Sequence, residues 1–292
     1  MTASNAPQRS ILVTGASTGI GRAIVKSALE KGTTRVFANV RKDADGANLR
    51  AELGERVVPV VFDVRDEATV LAGARQVEQA LDGAPLFGLV NNAGVAVPGP
   101  LLHIETEDLV RQLDVNIVGV HRVTKAFAPL LGAAPGRDGA KGRIVMMSSV
   151  GGLNASPFNG PYNASKFALE GYSSALRKEL MLYGVDVVVI GPGAIATPIW
   201  EKSDTAEAAK YADTPYAKAM EKIRGYMLKL GAEGMPPEAV ASTVWKALTV
   251  DKPKARYSVV RSKLRDEWMQ RFLPARFVDR RMADFLGFPS RA

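Results

Sequence analysis

The chain has 292 residues, 47% of them apolar and 23% charged, values near the globular average that exclude a largely disordered or collagen-like protein. Cysteine is absent, which rules out disulfides, thiolate zinc sites and a cysteine nucleophile and makes the cytoplasm the expected compartment. Most of the net charge of +8 sits at the C-terminal end, where residues 251–292 carry eleven Lys/Arg against five Asp/Glu, so the near-neutral body gives no nucleic-acid footprint.

Met1 to Arg9 is short and polar, with no apolar signal stretch, and leads into the first predicted strand, Ile11–Thr14. A helix over Gly19–Lys31 follows, with Ile20, Ile24 and Ala28 on one face. Further strands are predicted at Arg35–Val40, Val57–Phe62, Leu86–Val90, Arg143–Met147, Val185–Ile190 and Arg256–Val260, with helical spans at Ala68–Leu81, Thr106–Leu131 and Pro161–Leu182. The strand runs are continuously apolar, as strands covered on both faces are, and far below the ~18 residues a membrane-crossing helix needs. The expected architecture is α/β: a Rossmann-like doubly wound sandwich with a mainly parallel seven-stranded sheet, a single domain over residues 1–292. Two segments break the alternation. Residues 198–235 carry Trp200, Tyr211, Tyr216, Met220, Tyr226 and Met227, which read either as core or as an apolar lid inserted over a bulky substrate. Residues 261–292 form a basic amphipathic extension, with Leu264, Trp268 and Phe272, then Val278, Met282, Phe285 and Leu286, predicting two helices broken at Pro274. That extension packs on the body or a subunit partner, or else makes peripheral membrane contact.

Chemistry collects at the predicted strand ends. Thr14-Gly15-Ala16-Ser17-Thr18-Gly19-Ile20-Gly21 places glycines at a strand-to-helix turn, where backbone can approach a pyrophosphate and helix N–H groups can face it; a plain tight turn fits the same residues. After the second strand stand Val40, where an acid would bond a free ribose 2′-hydroxyl, and Arg41, a base suited to a 2′-phosphate. Asp63, after the third strand, and Asn91-Asn92-Ala93-Gly94, after the fourth, lie where a cofactor crevice opens, though Asn and Asp also favour ordinary turns. Ser148 and Ser149 end the fifth strand, and Tyr162 and Lys166 share one helix face by their i, i+4 spacing. A phenol with an ordinary pKa of about 10 must be brought down to exchange protons at neutral pH, and a nearby ammonium together with an oxidised nicotinamide ring favours the phenolate. Taken alone, a Y-x-x-x-K pair also reads as a surface pair. Neither histidine, His103 nor His121, sits among metal-ligand neighbours, so no metal and no histidine catalysis is expected.

Over residues 10–260 or so these motifs occur in the order and spacing of the short-chain dehydrogenase/reductase family, which the chain resembles; residues 148–172 further resemble its hydroxysteroid and retinol dehydrogenase branch. The resemblance implies that Ser149 polarises the substrate oxygen, Tyr162 exchanges the proton, Lys166 holds the nicotinamide ribose and lowers the Tyr162 pKa, and Asn116 supports a water leading to Lys166. Ser149 is chosen over Ser148 because it precedes Tyr162 by the interval seen in that branch. By position, Gly15, Ser17, Thr18, Gly19, Ile20, Gly21, Arg41, Asp63, Val64, Asn91, Ala93, Gly94, Tyr162, Lys166, Pro192, Gly193, Ile195 and Thr197 would line the cofactor. Leu153, Phe158, Ile199 and Trp200 would line a pocket for a hydrophobic alcohol or ketone such as a steroid, a retinoid or an aryl ketone. Without an acid at position 40, and with Arg41 beside it, the expected cofactor is NADP(H) in preference to NAD(H), and a homodimer or homotetramer is the expected assembly. The rival from another class is a nicotinamide-binding regulator or scaffold without turnover, which the intact Ser, Tyr, Lys and Asn set disfavours.

Overall fold

The structure, a computed structural model, describes residues 9–136, 139–197, 210–262 and 272–289. Seven strands form one sheet: β1 Ser10–Val13, β2 Arg35–Val40, β3 Val57–Val61, β4 Gly88–Asn91, β5 Arg143–Met147, β6 Asp186–Pro192 and β7 Arg256–Val259. Their order is β3-β2-β1-β4-β5-β6-β7 and every neighbouring pair is parallel, as the unbroken apolar runs require. In β6, Val188 and Ile190 enter the core on one face and Val187 and Val189 the core on the other, so from Val187 to Ile190 every position is apolar.

The described helices are α1 Gly19–Glu30, α2 Asp43–Leu53, α3 Glu67–Leu81, α4 Thr106–Leu113, α5 Gly119–Phe127, α6 Gly160–Glu179, α7 Ala217–Ala232, α8 Pro237–Thr249 and α9 Ala275–Leu286. Helices α1, α2 and α8 supply the apolar residues covering one sheet face, and α3, α5 and α6 cover the other. The chain leaves β1 toward one edge and returns at β4 to build toward the other, so a crevice opens over the C-terminal ends of those adjacent strands.

Some boundaries differ from the sequence expectation. The span 106–131 is divided: α4 runs into a wide π turn at Asp114–Val118 before α5, and a 3-10 turn at Ala128–Leu131 ends it. Helix α2 was not anticipated, because DADGANLRAEL buries only Gly46 and Leu49 and carries little apolar periodicity. Helix α8 was also missed, although Pro237 in its first turn and buried Val240, Ala241, Val244, Ala247 and Leu248 mark an inward stripe. In the C-terminal extension Pro274 stands immediately before α9, whose Leu286 is buried; Phe285 meets Tyr226 of α7 edge-on with ring centroids 5.6 Å apart, and Lys222 lies 5.1 Å over the Phe285 ring. Leu264 and Trp268 lie outside the described residues, and no helix among the described residues is long and apolar enough to cross a membrane.

Candidate active site

The glycine-rich turn is built for close backbone approach. Gly15 has φ +63°, and a Cβ there would lie 2.9 Å from the Cα of Ala93; a Cβ on Gly21 would collide with the Gly15 carbonyl oxygen. The Thr14 hydroxyl accepts from the N–H groups of Asn92 (2.9 Å) and Ala93 (3.0 Å), and the Asn92 amide donates to the Thr14 carbonyl at 2.9 Å. Asn39 of β2 joins this frame. It accepts from the Gly15 N–H at 3.2 Å and donates to the Phe62 carbonyl at 2.9 Å, locking the ends of β1, β2 and β3 together. Sequence reasoning missed Asn39 because an isolated polar residue inside an apolar strand carries no motif. Thr18 starts α1 without a side-chain cap, which leaves the helix N-terminus with Gly19, Ile20 and Gly21 in its first turn. The Thr197 side chain stands 3.6 Å from where a Cβ on Gly19 would project, with half-buried Ser17 in the same turn, so the loop after β6 reaches the glycine-rich turn. A turn that excludes side chains, crossed by a threonine and ending at an uncapped helix, fits a dinucleotide pyrophosphate.

The loop after β6 is held from behind. Gly193 N–H donates to the Val259 carbonyl at 2.9 Å, and Ala194 and Ala196 bond the backbone of Met235, setting buried Ile195 beside it. At the other end of the crevice Arg41 is exposed and Val40 is buried. Asp63 accepts from Arg65 at 2.7 Å, and that pairing, with the Arg41 charge nearby, holds its carboxyl below the ordinary range. Val64 turns its side chain onto Gly119 of α5. The Asn91 amide bonds Thr124 at 3.0 Å under α5, on the face covered by α3 and α5, and it is Asn92 that braces the glycine-rich turn; Gly94 is exposed.

Ser149, Tyr162 and Lys166 come together at the C-terminal edge of the sheet. Extended backbone at Ser149 follows β5, and its hydroxyl accepts from the Gly151 N–H at 3.0 Å. Gly160-Pro161 opens α6, the proline sitting in the first turn where its missing N–H costs nothing, and Tyr162 lies beside Ser149: a Cβ on Gly151 would stand 3.4 Å from both the Ser149 hydroxyl and the Tyr162 ring. One turn later Lys166 is 5% exposed, donates to the Met147 carbonyl at 2.8 Å and lies 5.5 Å from the Tyr162 ring centroid. Burial lowers its pKa to about 8, while Glu170 pulls it upward. Burial pushes the Tyr162 phenol up, with the neighbouring Ser149 hydroxyl opposing. Asn116, in the π turn, grips both backbone groups of Val95 (N–H to Oδ1 2.9 Å, Nδ2 to carbonyl 3.0 Å) and donates to Ser165 at 3.0 Å. Its side chain is therefore committed to bracing α6 beside Lys166.

An aromatic cluster begins four residues before Tyr162. Phe158 holds φ +60°, a left-handed conformation that costs a large side chain of order 1–3 kcal/mol, and its carbonyl accepts from Gly99 at 2.8 Å. Its ring meets Tyr216 at 5.9 Å; Tyr216 in turn meets His103 at 5.7 Å and Phe288 at 6.3 Å, all near edge-on. Half-buried Leu153 follows the short turn after Ser149, while Ile199 and Trp200 lie outside the described residues. Among the described residues no group of three His, Cys, Asp or Glu side chains could hold a metal ion.

Residues 9–208 match the family described as short chain dehydrogenase. The NADPH-dependent 3-dehydrocapnine reductase of Ornithobacterium rhinotracheale is 37% identical over 272 residues, covering 93% of this chain and 95% of that protein. Human retinol dehydrogenase 5 is 31% identical over 303 residues, covering 97% and 90%. Among solved structures, a short-chain dehydrogenase from Streptomyces avermitilis superposes with a TM-score of 0.74 at 24% identity over 98% of both chains.

Proposed function

The chain belongs to the short-chain dehydrogenase family of oxidoreductases, and from that premise we propose that it transfers a hydride between NADP(H) and a hydrophobic alcohol or ketone. The observation carrying this reading is the meeting of Ser149, Tyr162 and Lys166 at the crevice whose floor is the glycine-rich turn. The nicotinamide, when bound, supplies or takes up the hydride. Ser149 and Tyr162 hold the substrate oxygen between two hydroxyls, and Tyr162 gives or takes the proton at its phenol oxygen. Lys166 supplies positive charge behind the phenol and would hold the nucleotide ribose. Asn116 and Ser165 keep α6 in register for both. The aromatic cluster of Phe158 and Tyr216 favours a bulky apolar substrate, and the NADPH dependence and the retinol named for the two relatives agree with that class of cofactor and alcohol. Part of residues 198–235 would act as the lid, and copies of the chain would assemble as a dimer or tetramer.

The test is a screen of steroid, retinoid, aryl and aliphatic alcohol–ketone pairs with both nicotinamide cofactors, followed by Tyr162→Phe on the best substrate. The variant keeps the ring and should bind nucleotide normally while losing at least ~10²-fold in turnover, the usual worth of a positioned acid–base group. Activity within a few-fold of the parent would remove Tyr162 from the chemistry. Nucleotide binding with no turnover on any pair would favour a regulator or scaffold.

A further inference from the structure

Behind the reactive group lies an ion pair that nothing in the preceding reading uses. Arg256, the first residue of β7, extends along the sheet face across β6. Position 191 is glycine, and any Cβ there would strike the Arg256 guanidinium. Through that gap the Arg256 Nε reaches Glu170 at 3.1 and 3.3 Å, one terminal nitrogen donates to the Ser258 hydroxyl at 2.5 Å, and the other to the backbone carbonyl of Ser149 at 3.4 Å. Both partners of the pair are less than one-fifth exposed, so the attraction is far less screened than at a surface.

Tyr162, Lys166 and Glu170 follow at four-residue spacing along one face of α6. A row of alternating charge therefore runs from Lys166 through Glu170 to Arg256, and Arg256 closes it on the backbone of Ser149. Resting on the reading of Ser149, Tyr162 and Lys166 as the reactive group, we propose that Arg256 and Glu170 are positioning residues: Glu170 is the counter-charge for Lys166, and Arg256 both balances Glu170 and fixes the Ser149 backbone. The other groups around Lys166 do not compete for this role among the described residues. Strand β5 offers only the Met147 carbonyl, the π turn offers Asn116 while its Asp114 is paired with Arg122 at 2.8 Å, and α4, packed on α6, has Asp108 paired with Arg111 at 2.7 Å and with Lys210 at 3.2 Å. On α6 itself, the Tyr162 ring lies 5.5 Å from the Lys166 nitrogen.

The pair makes a prediction of sign that a merely structural bridge does not. Glu170→Gln removes the carboxylate that favours the Lys166 ammonium, so Lys166 should titrate lower. Arg256→Gln leaves Glu170 unbalanced and should move Lys166 higher, and the double variant should fall between the two. Shifts of roughly half to one pH unit are expected for a charge at this range. Lys166 is followed by NMR in cofactor-free protein labelled with ¹³Cε-lysine, its signal identified by its loss in Lys166→Arg. This reads the ammonium directly and needs no substrate, so it stands or falls apart from the hydride-transfer reading. Shifts in the same direction, or no shift in variants whose far-ultraviolet circular dichroism matches the parent, overturn the proposal. If Arg256→Gln fails to fold, Glu170→Gln alone decides by whether Lys166 moves down. On the substrate found by screening, the pH limb of kcat/KM that follows Lys166 should move in the same opposed directions.

Discussion

Arg41 and Val40 are adjacent yet play opposite parts. Val40 is 2% exposed, its methyl group close to where a Cβ on Gly46 would project, while Arg41 is exposed and its charge reaches Asp63. A 2′-phosphate there would meet several N–H donors, whereas a free 2′-hydroxyl would find no carboxylate. A charge-assisted bond of this kind contributes about 1.5–3 kcal/mol, so Arg41→Ala should cut the preference for NADPH by ten- to a hundredfold. Adding Val40→Asp should reverse it, at some loss of thermal stability because the new carboxylate replaces a buried methyl pair against α2. Measuring kcat/KM with both nucleotides on parent, single and double variants checks this; a parent that prefers NADH, or a double variant that still prefers NADPH, refutes the role given to Arg41.

An apolar stripe made some helices legible in the sequence, but α8 went unread despite its stripe and α2 for want of one. The stripe Ile20, Ile24, Ala28 marked α1 and the four-residue spacing of Tyr162 and Lys166 marked the working face of α6, while the polar α2 carries too little apolar periodicity to be seen. The candidate reactive group was legible as motif, but its electrostatics were not. That the Lys166 ammonium points at the Met147 carbonyl, and that the Asn91 amide turns under α5, depend on contacts across 19 and 33 residues that no local pattern encodes. The same holds for α9, whose apolar spacing was visible but whose partner, α7, was not. Because Phe285 and Leu286 pack there and Phe288 touches Tyr216 beside Phe158, deletion from Lys263 onward should raise KM for bulky apolar substrates several-fold more than for small ones. Nucleotide affinity should stay near the parent's, since the glycine-rich turn lies on the main sheet. Unchanged kinetics, size and solubility in the truncated protein would show the extension to be dispensable.

The whole molecule bears a cost for placing an ammonium inside its core, and that cost has a pH signature. Lys166 titrates at about 8 in the folded protein against an ordinary 10.5 once unfolded, because burial disfavours its charged form more than Glu170 restores it. Below pH 8 both states hold the proton and the full penalty is present, about 3 kcal/mol, a large share of the 5–15 kcal/mol by which a domain is stable. Between pH 8 and 10.5 the unfolded chain binds more protons at this residue than the folded one, so folding becomes more favourable as pH rises. Above 10.5 both forms are neutral and the penalty is gone. Other groups also titrate in this window, so the measurement must be a difference: urea unfolding of the cofactor-free parent and of Lys166→Met, at pH 7.5 and pH 10. Loss of the bond to the Met147 carbonyl affects the variant about equally at both pH values and cancels. The parent should gain about 2 kcal/mol on the variant between the two conditions. A difference that stays flat, or that moves toward the variant, would mean that Lys166 keeps an ordinary pKa in the folded protein, and the buried ammonium would then carry no such cost.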